Sequence, residues 1–171
     1  MPTCWDVLTT GSQVRYYPHV SYQQDYAYDG NYLLMSAATH ANFGSVNYSI
    51  LPSFDADLNE LHIAFDTKMQ AQFANSCLIL GYFSDIHSEA TFVALDTIQA
   101  HTNVVSYDIS LYHRGIPLGT RLAFKWVNTA SISLNCFIDN VLVDFEECIP
   151  VSNLQLDSVL MNTAKLSWTS G

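Results

Sequence analysis

Six of the chain's ten tyrosines fall between residues 16 and 32, in the stretch YYPHVSYQQDYAYDGNY. Exposed aromatic rings serve as flat platforms for sugar faces, and tyrosine adds a hydroxyl at low entropic cost. Tyr16, Tyr17 and Tyr22, with Trp5 upstream, are the residues from which such a platform would be built. Tyrosine also suits half-buried strand positions and sheet rims. Tyr26, Tyr28 and Tyr32 share the parity that places alternate residues on one face of a strand pair. Ligand platform and framework are both open readings of this stretch.

Paired carboxylates are the second candidate. Asp55 and Asp57 form an Asp-Ala-Asp step with Glu60 close behind. In an extended chain residues two apart point the same way at roughly 7 Å, a spacing a glycosidase pair tolerates. A solvated loop after LPSF is the plainer explanation. The six histidines, His19, His40, His62, His87, His101 and His113, are scattered singly without HxH or HExxH spacing. Asp85 and His87 fall on one side of a strand end, which is weak ground for a ligand pair. No GxSxG nucleophile elbow occurs, and the seven glycines form no phosphate-cradling loop.

The elements that would position these groups read as strands. RLAFKWV sets Leu122, Phe124 and Trp126 on one face and Ala123 and Lys125 on the other. CLILGYF is an apolar run of the kind buried on both faces. CFIDNVLVDF is a strand interrupted by Asp139 and Asn140, and VVSYDISLY and YSILPSF add two more, with Pro52 at a strand end. LNELHIAFDTKMQAQF fits two periods: Leu58, Leu61, Phe65, Met69 and Phe73 at helical spacing, or Leu61, Ile63 and Phe65 in alternation. Its β-rich neighbours favour strand. Short strands at regular intervals predict an antiparallel sandwich.

Composition limits the partners. The chain of 171 residues carries sixteen acidic and six basic side chains, a net charge of −10. Nucleic acid and anionic membrane surfaces want the opposite sign. No apolar run approaches the roughly 20 residues of a membrane span. No signal peptide follows Met1, and the abrupt MPTCWDVL reads as an excised or mature segment. Four cysteines without a CxxC pair suit two disulfides in a non-cytosolic compartment.

The order of these motifs resembles the jelly-roll modules of the MAM and cleaved-adhesin type. The most specific pieces are Ile50-Leu51-Pro52, Leu122-Ala123-Phe124-Lys125-Trp126 and Phe137-Ile138-Asp139-Asn140-Val141, and the likeness spans about residues 3 to 148. It implies an all-β, two-sheet antiparallel jelly-roll sandwich of galactose-binding or MAM-like architecture over residues 1–148. After Pro150, Leu154 and Leu156, then Ala164, Leu166 and Trp168, alternate as two strands around a polar turn. Residues 149–171 resemble a linker and the first strands of a truncated fibronectin type III domain.

Modules of this type occur in secreted bacterial surface proteins and bind glycans, host proteins or neighbouring domains of their own chain. Some hold Ca²⁺ near the start of the last strand. The matching position is Asp139, with Asn140 where a second Asp is common; an Asn carbonyl still ligates Ca²⁺. Cys4 opens the module and Cys148 closes it, so a Cys4–Cys148 staple is expected, worth about 4–5 kcal/mol in the chain-entropy model. Cys77 and Cys136 either pair across neighbouring strands or remain buried thiols.

The expected function is non-catalytic binding or adhesion, with a glycan ahead of a protein ligand. A structural spacer presenting neighbouring domains is the alternative, and a glycan hydrolase using Asp55 and Asp57 is the distant third. A binder should show Trp5, Tyr16, Tyr17 or Tyr22 exposed around a concavity, whereas a hydrolase needs carboxylates converging in a cleft.

Overall fold

In the computed structural model of the chain, residues 4–10, 18–22, 31–36, 46–71, 76–99, 101–127, 134–146 and 152–169 are described, with backbone alone for Tyr22, Ser36, Ser152 and Thr169. Two five-stranded antiparallel sheets dominate. The first runs β1 (Asp6–Thr10), β4 (Val46–Ile50), β9 (Arg121–Val127), β6 (Cys77–Phe83), β7 (Phe92–Gln99). The second runs β2 (His19–Tyr22), β3 (Asn31–Ser36), β10 (Asn135–Phe145), β5 (Leu61–Met69), β8 (Val105–Ser110). The expected jelly-roll sandwich is what forms.

The ambiguous segment is a strand. In β5 every odd residue from Leu61 to Met69 is buried and every even one half-buried, a strict period of two. Burying Ile63 as well as Phe65 is what decides it, because a helix would turn them apart. The run is separated from the preceding loop by a short 3₁₀ turn at Leu58–Glu60, which Asp57 caps through the Asn59 N–H at 2.9 Å.

In β9 the expected face is fully buried: Leu122, Phe124 and Trp126 point between the sheets. The Trp126 indole donates to the Leu134 carbonyl at 3.2 Å, so its one polar atom enters the core satisfied. Phe124 meets Phe65 of the facing sheet edge-on, ring centroids 4.9 Å apart.

A smaller apolar cluster lies on the other face of the first sheet, around Tyr48, Ile50, Phe83 and Ala123, with Phe92 packed against it. Tyr48 contacts Phe83 and Phe92 edge-on at 5.1 and 5.2 Å and donates to Glu89 at 2.7 Å. Lys125 lies 5.3 Å from the Tyr48 ring centre. Burial first, then the Glu89 carboxylate, pushes the Tyr48 phenol upward, so it stays protonated.

β11 (Ser152–Leu160) and β12 (Thr163–Thr169) form a two-stranded hairpin turned at Met161 and Asn162. The alternating apolar residues after Pro150 are its strands, and all its described side chains are exposed.

The Cys77–Cys136 pairing is corrected. Cys77 lies in β6 of the first sheet and Cys136 in β10 of the second, so they are not on neighbouring strands, and both are free. Cys136 is fully buried beside Thr67, and burial pushes its thiol up to about 12, leaving it an inert small hydrophobe. Cys4 is also free and is exposed, and Cys148, the other half of the expected staple, lies outside the described residues.

Candidate functional site

The site begins with a fault in one strand. Along β10, Asp139 pairs with Asp66 of β5, but the next matched pair is Leu142 with Ala64. β10 therefore carries one residue more than its partner, a β-bulge, which bends the strand and re-aims its side chains. Asn140 sits in the bulge at φ 51°, the left-handed region that asparagine tolerates better than most residues.

Asn140 also settles a charge problem. Asp139 and Asp66 face each other directly, and like charges so placed are destabilising. The Asn140 backbone N–H donates to Asp139 Oδ1 at 2.9 Å, and its side-chain amide donates to Asp66 Oδ2 at 2.8 Å. One residue supplies a donor to each carboxylate. The second Asp139 oxygen, Oδ2, is buried with no hydrogen-bond partner.

On the other side of β10, Ile138 pairs with Leu33, which makes Tyr32 the next residue of β3 towards Asp139. Leu33 and Ile138 belong to the core between the sheets, whereas Tyr32 and Phe137 lie on the opposite face, edge to face at 5.3 Å. Tyr32 is only 2% exposed, and its hydroxyl has no partner either.

Tyr32 and Asp139 contribute to the lining of one cavity of about 330 Å³, although the two orphaned oxygens are themselves buried without accessible surface. Val20, Leu33, Ile138 and Val141 give it apolar walls, Trp5 closes one side, and Asn31 and Asn140 complete it. A second cavity of about 290 Å³ lies across Trp5, walled by Leu51, Pro52, Phe54 and Val141–Val143. Trp5 is half-buried, resting against the main core. Trp5 lines both cavities, and its ring is suited to packing on the apolar face of a small ligand.

Of the residues singled out in the sequence, Trp5, Asp139 and Asn140 are brought together here. Tyr16 and Tyr17 lie outside the described residues, as do Tyr26, Tyr28 and His40. Tyr22 ends β2 opposite Asn31, a cavity residue, and its side chain is outside the description. Asp55 is exposed and Asp57 half-buried, and neither lines a cavity described above. The Asn59 backbone and side chain both donate to Asp57, holding its carboxyl below its usual range. A glycosidase acid needs the opposite shift. His87 donates its backbone N–H to Asp85 at 3.0 Å, a turn rather than a ligand pair.

The described donors around Asp139 do not by themselves make up the expected Ca²⁺ site. Calcium takes six to eight oxygens. Among the described residues no group of three or more His, Cys, Asp and Glu side chains is placed to hold a metal ion. Asn140 turns its NH₂, not its carbonyl, to Asp66, and only the NH₂ end can face a carboxylate at that distance.

Asp66 and the cavity position of Tyr32 were not found by sequence reasoning. The only local signal for Asp66 is an acidic residue on the outward parity of β5. Its partnership with Asp139 is a register 73 residues apart.

No protein-family model and no curated protein sequence matches the chain. Solved structures do. The K1 cleaved adhesin domain of Lys-gingipain from Porphyromonas gingivalis superposes with a TM-score of 0.62 at 16% identity, covering 85% of this chain and 93% of that one. The K2 cleaved adhesin domain of Lys-gingipain gives 0.60 at 12% identity, over 85% and 91%. A family 30 carbohydrate-binding module from a cellulosomal cellulase of Clostridium thermocellum gives 0.53 at 10%, over 86% and 94%. The fold is the cleaved-adhesin and carbohydrate-binding jelly roll. At these identities the likeness concerns architecture and does not transfer a ligand.

Proposed function

We propose that the chain is a non-catalytic glycan-binding module of a secreted or surface-attached bacterial protein, and that it binds at the Trp5 cavity. The observation that carries this reading is the half-buried Trp5 indole lining a cavity of about 330 Å³ together with Val20, Leu33, Ile138 and Val141 and the amide side chains Asn31 and Asn140. Sugars offer both an apolar C–H face for the ring and hydroxyls for the polar residues beside it. The fold supports the reading, since one of its neighbours is named as a carbohydrate-binding module. The Asp55–Asp57 pair, with Asp57 committed to a cap, gives catalysis no support.

The test is a glycan array with the folded chain and a Trp5→Ala variant. Saturable binding lost in the variant is expected. Binding that persists without Trp5 would move the site elsewhere, and a blank on folded protein would remove the glycan.

A spacer role has one observation in its favour: Leu154, Leu156, Leu166 and Trp168 on the hairpin are all about half exposed or more. A two-stranded hairpin is marginal alone, and we propose that it belongs to a fibronectin-like neighbour. Binding and spacing are compatible in one chain.

A further inference from the structure

We propose that the ligand is a glycoside with an apolar aglycone. Its sugar lies on the Asn31 side of Trp5, and its aglycone, alkyl or aryl, fills the second cavity beside Phe54. This rests on the glycan reading and names the class of molecule that carries the sugar.

The two cavities belong to one layer of the protein. Leu33 and Ile138 of the first and Leu51 of the second are members of the core between the sheets. Trp5, Phe54, Val141 and Val143 pack against that core but are only half-buried, so each keeps surface that a ligand can touch. Trp5 and Val141 line both cavities, which makes the two neighbours across a shared indole and a shared valine.

Their chemistry differs. On β3, Asn31 has the parity of Leu33 and Met35, whose side chains enter the core, so its amide leaves the strand on the side of the cavity walls. Asn31 is exposed, and its amide brings two donors and an acceptor to sugar hydroxyls. The second cavity, of about 290 Å³, has no such group. Apart from Trp5 it is lined by Leu51, Pro52, Phe54, Val141, Leu142 and Val143, whose side chains hold no hydrogen-bonding atom.

That contrast sets the order of the ligand. A sugar ring in the second cavity would strip water from its hydroxyls with no side chain to replace it, which is costly. An alkyl or aryl group gives up nothing polar and buries apolar surface against those walls. Trp5 stands where the two halves of such a molecule join, and its ring suits the C–H face of the sugar as well as the aglycone.

Calorimetry on the intact chain tests this with methyl, hexyl and phenyl β-glycosides of glucose, galactose and N-acetylglucosamine, and with 1-hexanol alone. For the sugar that binds, the hexyl or phenyl glycoside is expected to bind at least about tenfold more tightly than the methyl, the scale of burying about two methylenes. Hexanol alone should bind far more weakly than the hexyl glycoside. A larger gain from hexyl marks an alkyl aglycone, as in a glycolipid, and a larger gain from phenyl an aryl one. Phe54→Ala should bring the hexyl and phenyl affinities down towards the methyl, whereas Asn31→Ala should weaken methyl and hexyl glycosides alike. If Phe54→Ala does not fold, Val143→Thr, which keeps the shape and sets a hydroxyl in the cavity, should cut the gain several-fold.

Equal binding of methyl, hexyl and phenyl glycosides overturns the aglycone inference and leaves the glycan reading in place. So does binding on the glycan array with no glycoside bound in the calorimeter. A gain that survives Phe54→Ala or Val143→Thr also overturns it, showing that the apolar group lies on another surface. Binding of no sugar here or on the array removes the glycan reading itself.

Discussion

Asp139 and Asp66 stand directly opposite one another on β10 and β5, and Asn140, one residue further along, donates to both. The fold thus holds two facing carboxylates with a side-chain amide and a backbone N–H from a single left-handed residue. Asn140→Ala removes the amide from Asp66 and adds the steric strain of a methyl at positive φ. It should cost about 1–3 kcal/mol, a drop of several degrees in Tm. Asn140→Gly loses the amide without the strain and should fall between Ala and wild type. Asn140→Asp adds a third carboxylate: its Tm should fall with chelator and recover with Ca²⁺. The wild-type Tm should be the same in both, and a Ca²⁺-dependent rise there would show that the wild-type donor set does take the metal.

Trp5 lines two cavities while resting on the core, so its loss should be felt in binding before stability. Trp5→Ala is expected to weaken glycan binding at least about tenfold, the scale of an aromatic anchor. Its Tm should move less than for a fully buried tryptophan, whose removal costs about 3–5 kcal/mol. Trp5→Tyr should retain most of the affinity. Calorimetry and a thermal melt on the same samples check both, and a large Tm drop with unchanged affinity would assign Trp5 to packing alone.

Gly81 marks a close approach in the first sheet. A Cβ there would lie 2.5 Å from the Phe92 ring and within van der Waals overlap of the Val93 carbonyl oxygen. Both atoms belong to the paired strand β7, at a register shift where β7 carries an extra residue. Gly81→Ala should displace Phe92 from Tyr48 and Phe83 and destabilise by about 1–3 kcal/mol or more, as overpacking does. A denaturant melt with unchanged m-value is the measurement. Trimming the ring with a second change, Phe92→Leu, should return part of the loss.

The cysteines make a chemical prediction. Cys4 is exposed, Cys77 half-buried and Cys136 buried, all of them free. A thiol reagent should modify Cys4 quickly in native protein and Cys136 only on unfolding. A reductant should leave Tm unchanged. A Tm fall of many degrees on reduction would restore the Cys4–Cys148 staple.

What the sequence made legible was what repeats locally. Alternation in Leu61–Met69 and in Leu122–Trp126 places each residue by its neighbours two positions away, and both strands came out as read. The apolar runs around Cys77 and Cys136 were equally clear as strands. Which sheet each joined was not, because both sheets bury the same residue types. The site was half legible for the same reason. Trp5, Asp139 and Asn140 could be picked from a motif, but Asp66 and Tyr32 enter through registers fixed by distant strands. Nothing in Phe65-Asp66-Thr67 says that its carboxylate faces another. The bulge left only a faint trace, an Asp-Asn pair interrupting an apolar run.

His62 offers a test by pH. It lies on the outward face of β5, opposite Asp144 of β10, with its Nδ1 2.7 Å from Asp108 Oδ1 on the other side. The Asp108 hydrogen bond raises its pKa above the ordinary 6.5, partial burial works against the rise, and the charges of Asp108, Glu146 and Asp144 add to it. A raised folded-state pKa means that the folded protein holds the proton more tightly than the unfolded chain. The stabilisation is therefore complete below about pH 6.5 and is lost as pH rises through the raised value. Asp108 is largely exposed, which limits the effect to about 0.2–1 kcal/mol, smaller still in high salt. Denaturant melts from pH 6 to 8.5 should show wild type losing that increment while His62→Gln does not. A difference that is flat with pH would mean that the imidazole contributes packing and no charge.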